Sequence, residues 1–392
     1  MILDEKVLYL ALNMASGIGP GKKLALLEHF RDIRTLFSVD SGEIERLIPG
    51  KGGSSFAGSR KIMSLKAESE ALKAEKMGIA TVHVNEKHYP ANLLSIPDPP
   101  IVLYYKGEPS KEDFNSIAVV GCRKATVYGL KNSLKLGRGL ADNGISVISG
   151  LAKGIDSEAH KGALERGGRT VAILGCGVDR VFPKEHKALQ DEISETGCLY
   201  SEFPIGSDPK PFHFPMRNRI ICGMAVGVVV VEGSQDSGSL YTAQYALDYG
   251  RELYAYPGPA QSYNYSGTHL LIKKGARLVE DVDDLLEDLK LVLDFSKLDK
   301  KKSNKINQAM PNGENNIMLI KEENKTGINL SEEEELLLNC LYEESKSIDR
   351  LVEETKLPVN QVMSILSSLT IKKQVERRGN YYMIAGSGAV DG

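Results

Sequence analysis

Apolar residues recur at helical spacing on both sides of Gly17-Ile18-Gly19-Pro20-Gly21 in VLYLALNMASGIGPGKKLALLEHF, so the chain opens as helix, tight turn, helix. Such a hairpin either aims backbone N–H groups at a phosphate, with Lys22 and Lys23 beside them, or packs against its own domain. Residues 41–78 continue as helical sequence with polar faces, broken by a Gly-Ser run over 51–59. From Ile79 the texture changes to short apolar runs alternating with helical patterns. Strands are expected at 101–105, 116–120, 146–148, 170–174, 198–201, 226–231, 253–255 and 277–279. Most run into Gly, Ser or Glu, and helical patterns follow at 129–143 and 240–247. This alternation predicts an α/β fold with a Rossmann-like, mainly parallel sheet.

Four segments result: an N-terminal helical domain (1–78), a Rossmann-like domain (79–294), a tether (295–330) and a C-terminal domain (331–386). The tether is rich in Lys, Asn, Ser and Glu and lacks periodicity, which marks a flexible linker. Beyond it, three amphipathic helices precede a hairpin centred on Gly379-Asn380, a winged-helix layout.

Composition narrows the class. A chain of 392 residues with 42% hydrophobic and 26% charged residues has enough apolar surface for a large core. Its net charge is only -3, so contact with nucleic acid requires a local basic patch. The five cysteines form no CxxC pair, which argues against a zinc ribbon and a disulfide framework. No apolar run approaches the roughly 20 residues of a membrane span, so a cytoplasmic protein without membrane contact is expected.

Ligands of open α/β sheets lie beyond the carboxyl ends of the strands. There the chain offers Gly121-Cys122-Arg123-Lys124, where a glycine opens the backbone to an anion beside two cations. A second strand end carries Lys153 and Asp156, the latter placed to cap the helix bearing His160; His160 itself reads as a packed residue. Gly175-Cys176-Gly177 clears space at a third. The densest cluster interleaves Lys210, Phe212, Phe214, Arg217, Asn218 and Arg219, the mixture that single-strand binders use to neutralise phosphates and stack bases. Ser237, Gly238 and Ser239 open another helix. The chain lacks GxxxxGKS/T, HExxH and an acid-linked GxGxxG, so binding without catalysis, cofactor or metal is expected.

The ordered strings GCRKATVYG, SGLAKGID, LGCGVDRVFP, SEFPIG, FPMRNRIICG and EGSQDSGSL resemble the DNA processing protein A family, also called Smf, over about residues 89–279. That resemblance implies a homodimer that binds single-stranded DNA without ATP. It also implies loading of a RecA-type recombinase during natural transformation, with a single-strand-binding protein as a further candidate partner. By motif position it puts Gly121 and Arg123 in a phosphate pocket, with Lys210 and Arg217-Asn218-Arg219 nearby. Cys122 replaces a usual Ser, and Thr268 stands where Asn is common. The rival reading, a small-nucleotide enzyme or sensor, expects PGGxGT where EGSQDSGSL stands. A transcription factor acting through the tail is disfavoured because 359–368 carries no Arg or Lys.

Limited proteolysis should cut first within 295–330 and release two folded pieces, the larger retaining single-strand binding. Loss of that binding in a folded fragment ending at Phe295 would place the tail in the principal site.

Overall fold

The computed structural model describes residues 4–289 and, further on, 334, 337, 340–341, 346–355, 357–371, 375–378 and 381–384. The chain divides into two compact units, Met1–Gly313 and Glu314–Gly392. The 295–330 tether and the Gly379-Asn380 turn lie outside the described residues.

The first unit begins with helices α1 (Glu5–Asn13), α2 (Pro20–Phe30), α3 (Ile33–Ser38), α4 (Ser41–Leu47) and α5 (Lys51–Lys76). Their starts are written locally: Asp4, Asp32 and Asp40 each accept a hydrogen bond from a first-turn N–H, and Pro20 occupies the first turn of α2. The expected break over 51–59 is absent, because α5 runs unbroken for 26 residues. Its glycines serve close approach instead. A Cβ on Gly52 would lie 2.2 Å from the Gly17 carbonyl oxygen, and one on Gly53 would lie 1.9 Å from that of Ile48. Packing against the hairpin turn thus outweighs the poor helix propensity of Gly.

Of the two lysines beside this turn, Lys22 is exposed and Lys23 is not. Lys23 is buried, donates to the Asn13 carbonyl, and is pushed down to about 8 by burial. The hairpin follows the packing alternative. Tyr9 stacks on His83 at 3.9 Å, Asn13 donates to the Glu202 carbonyl at 3.1 Å, and Glu70 accepts from the Ile205 N–H at 2.6 Å. Helices and sheet share one core, in which Leu10 and Leu12 join Leu103 and Tyr104.

The sheet comprises β1 (Ala80–His83), β2 (Val102–Gly107), β3 (Ser116–Val120), β4 (Ser146–Ser149), β5 (Thr170–Ile173), β6 (Cys198–Ser201), β7 (Gly227–Val230), β8 (Glu252–Ala255) and β9 (Arg277–Leu278). Their order is 1-2-6-5-4-3-7-8-9, parallel from β6 to β9, with β2 antiparallel to both neighbours. Strand β1, missed in the sequence, exists by pairing with β2 at the sheet edge. Along β3 the apolar residues alternate between two cores, Ala118 and Val120 on one face, Ile117 and Val119 on the other. Helices α6 (Val127–Asp142), α7 (Ile155–Glu165), α8 (Lys187–Thr196), α9 (His213–Met224), α10 (Ser239–Asp248), α11 (Ser266–Lys273) and α12 (Val282–Leu289) complete the unit. From β3 the chain builds outward through β4, β5 and β6, then returns to β7 on the other side of β3. That reversal is a topological switch point, where open α/β sheets form a crevice.

The second unit contains β10 (Lys346–Ser347), α13 (Ile348–Thr355), α14 (Val359–Ile371), β11 (Val375–Arg378) and β12 (Tyr381–Ile384). Its three strands are ordered β10-β12-β11, and Leu351, Val362, Leu366 and Val375 form its core. Among the described residues no helix is long and apolar enough to cross a membrane.

Gly52→Val should lower the thermal midpoint sharply, since its side chain meets backbone. Gly58→Ala in the same helix, with nothing within 4 Å of its Cβ, should stabilise the fold by about 0.5–1 kcal/mol. Calorimetry showing the same sign for both would refute the close-approach account.

Candidate functional site

The crevice is organised by one side chain. Glu232, just past β7, is fully buried, and its carboxylate accepts from the Thr126 N–H (2.9 Å), the Thr126 hydroxyl (2.6 Å), Asn264 Nδ2 (3.0 Å) and the Tyr265 hydroxyl (2.9 Å). The Cys122 thiol donates as well, at 3.4 Å, and the Glu232 carbonyl accepts from the Cys122 N–H at 2.7 Å. Among the described residues no cation pairs with it within 4 Å, so neutral donors replace its lost hydration. Burial first, then the Glu232 charge, push the Cys122 thiol up to about 12. The side chain at 122 is therefore engaged with Glu232.

This clasp fixes residues 121–126, which link β3 to α6. It leaves the N–H groups of Arg123, Lys124 and Ala125 with no acceptor among the described residues. Consecutive free N–H groups at a strand end form an anion-binding concavity. Arg123 and Lys124 are exposed beside it.

The second wall follows β4. Here Asp156 does not cap α7, whose N-cap is Gly154 without a side-chain bond. Instead its carboxylate accepts from the N–H groups of Gly150 (3.1 Å) and Ala152 (3.4 Å), pinning the loop that precedes the helix. Burial pushes the Asp156 carboxyl up while Arg217 opposes the shift. Arg217, at 4% exposure, donates to the Gly150 and Ile173 carbonyls and is pushed down to about 10 by burial. A Cβ on Gly150 would lie 2.5 Å from its guanidinium carbon, so only glycine admits this brace between β4 and β5. His160 is packed, as its surroundings suggest: its Nδ1 meets the Thr170 hydroxyl at 2.6 Å, and burial pushes it down to about 3.

Between these walls lies a cleft of about 630 Å³. Gly121, Arg123, Phe214, Arg217, Asn218, Ser237, Gly238 and Ser239 all line it, so the structure gathers eight of the residues singled out in the sequence. The Arg123 guanidinium sits 5.0 Å over the Phe214 ring, and Asn218 Nδ2 donates to the Gly238 carbonyl at 3.4 Å, linking α9 to the start of α10. A smaller pocket of about 90 Å³ adjoins, walled by Phe182 and Phe214, with Lys153 at its edge. Lys153 is exposed and paired with Glu185 at 2.8 Å. Lys210 is exposed, with its ammonium 5.9 Å over Phe212, but lines neither space.

Arg219 is a correction. It lies two positions beyond Arg217 on α9, is 3% exposed, and pairs with Glu202 and with Asp98 (3.4 Å). A guanidinium spent on two carboxylates beneath the surface does not reach a backbone phosphate. Tyr241 and Phe182, both exposed, line the cleft and the pocket without having been singled out. An exposed aromatic in the first turn of a helix at a strand end, as in GSLYTA, is the signal that would have found Tyr241.

Fold and site define a Rossmann-like α/β protein with an anion-ready cleft at its switch point, carrying a separate winged-helix domain. The family model for "DNA recombination-mediator protein A" matches residues 80–290, and that for "DprA winged helix domain" matches 321–380. The chain belongs to the DNA recombination-mediator protein A family. DNA processing protein DprA of Streptococcus pneumoniae is 44% identical over 200 residues, covering 51% of this chain and 71% of the relative. Its Bacillus subtilis namesake is 39% identical over 215 residues, covering 55% and 72%. The X-ray structure of the pneumococcal protein aligns with a TM-score of 0.63 at 34% identity, over 72% of this chain and 97% of that one.

Removing the Glu232 charge should make Cys122 more acidic. Mass-spectrometric mapping of iodoacetamide labelling at pH 9 should show faster alkylation of Cys122 in Glu232→Gln than in the parent, and unchanged labelling would contradict the clasp.

Proposed function

We propose that this protein binds single-stranded DNA in the strand-end cleft and, as a cytoplasmic homodimer, places a RecA-type recombinase on it during natural transformation. The observation that carries the reading is Arg123, exposed over the Phe214 ring at the mouth of a cleft with unsatisfied N–H groups. Cation, free N–H groups and aromatic face together match a phosphate followed by an unstacked base. A duplex keeps its base faces inside the stack, so the aromatic part of the site favours a single strand. The names of the matched family and relatives support DNA processing and recombination mediation as the setting. A dimer would hold two strands at high effective concentration, and single-strand-binding protein is the coat such a mediator has to displace. Turnover of a nucleotide is not part of this reading; a small-nucleotide enzyme is its rival, since the same cleft has room for one nucleotide.

Arg123→Ala and Lys210→Ala should weaken oligo(dT) binding and flatten its salt dependence by about 0.7 in log–log slope per lost contact. Binding should need no nucleotide, favour oligo(dT) over duplex, and accompany faster RecA strand exchange on coated strands. Release of a free base or sugar from nucleotides at catalytic rates, with RecA indifferent to the protein, would establish the rival.

A further inference from the structure

Residues 121–141 contain five Lys or Arg side chains and no Asp or Glu, in a chain whose net charge is -3. This segment starts in the cleft and continues as α6. The inner face of α6 is buried through Ser133, Leu136, Gly137 and Leu140. On the outer face, Tyr128, Lys131 and Lys135 fall at i, i+3 and i+7, one stripe about 10 Å long at 1.5 Å per residue. All three are exposed, Tyr128 at 52%, with Val127 beside them at 69%. Lys124, which lines the cleft, stands just before the stripe.

The cations of this stripe differ from their neighbours in pairing. Arg138 on the same helix is bound to Glu165 at 2.6 Å, Lys161 to Glu158 at 2.7 Å, and Arg166 lies 3.5 Å from Asp142. Among the described residues, the side chains of Lys124, Lys131 and Lys135 have no carboxylate within 4 Å and no hydrogen bond. Three unpaired cations with an exposed aromatic among them repeat the chemistry of the cleft on an adjoining convex surface.

We propose that a single strand held in the cleft leaves it along the outer face of α6, its phosphates on Lys124, Lys131 and Lys135 and a base against Tyr128. The inference rests on the single-strand reading of the cleft and extends it. Continuity with Arg123 and Lys124 in the cleft and the exposed Tyr128 ring among the cations select nucleic acid over an acidic protein as the occupant. The free N–H groups of 123–125 hold one phosphate, and the strand continues over the next cations along the same segment.

The chain has no Trp, so Tyr128→Trp places a single indole on this surface of the full-length protein. Its emission should be quenched by (dT)20, and Arg123→Ala in the same background should move that quenching to higher DNA concentration. Lys131→Ala combined with Lys135→Ala should reduce the log–log salt slope for (dT)20 by about 1.4, at about 0.7 per contact, and leave that for (dT)4 unchanged. Saturating (dT)20 that leaves the indole emission unaltered, or a double variant with parental slope and affinity, overturns the path along α6. If Arg123→Ala still weakens binding in that case, the cleft stands and only its extension fails. If Arg123→Ala also costs nothing, the reading of the cleft falls with it.

Discussion

A carboxylate buried among neutral hydrogen-bond donors is the constraint on which the site depends. Taking Glu232 out of water costs several kcal/mol unless its oxygens are hydrogen-bonded, and Thr126, Asn264, Tyr265 and Cys122 supply those bonds. The donors come from two connecting segments: the loop after β3 and the short 3-10 turn, Tyr263–Tyr265, before α11. Satisfying Glu232 therefore positions two loops at once, on either side of the β3–β7 switch point. The backbone N–H groups left over at 123–125 are a by-product of that geometry. The other bonds of the loop are made by Cys122 N–H and by Thr126, both to Glu232. A cleft organised in this way is ready for an anion before one arrives, which spares binding the cost of ordering it.

The second organising principle is a division of labour among cations. Arg217, Arg219 and Lys23 are buried; the two arginines brace carbonyls and carboxylates across the sheet and toward the N-terminal helices, and the lysine closes the hairpin. Arg123, Lys124, Lys131, Lys135 and Lys210 stay at the surface. In sequence the two groups are indistinguishable, and Arg217 and Arg219 sit in one motif. Burial separates the groups, and Arg217 and Arg219 fall on the same side of that line at 4% and 3% exposure; two residues on a helix turn by about 200°, so Arg217 braces the Gly150 and Ile173 carbonyls while Arg219 pairs with Glu202 and Asp98. The sequence groups Arg217, Asn218 and Arg219 in one cluster of cations and aromatics, whereas the segment folds as α9 and buries both arginines against different partners.

Much of the fold was legible where a single local force dominates. Residues 116–120 and 198–201 are apolar runs between polar or glycine breaks, buried on both faces, and they form β3 and β6 with those bounds. The 51–59 run was misread because its local propensity opposes helix while its packing demands it, and the partner atoms on Gly17 and Ile48 are far from its own composition. The site was legible as strand-end loops rich in Gly, cations and aromatics. Its clasp was not, since nothing in EGSQDSG reveals that Glu232 turns inward to Thr126, more than a hundred positions earlier.

The inward turn of Glu232 also bears on which side chains position 122 accepts. A side chain there points to a buried carboxylate, so it must donate a hydrogen bond while staying uncharged. A thiol meets both conditions, weakly, and its high pKa keeps it protonated. A serine hydroxyl would meet them more strongly, and an acid at the same place would set two buried charges against each other. A Ser in place of Cys122 would change bond strength within the clasp, and the N–H groups of 123–125, which make no bond to that side chain, would stay as they are. What the position requires is a neutral donor, and the anion site is carried by the backbone.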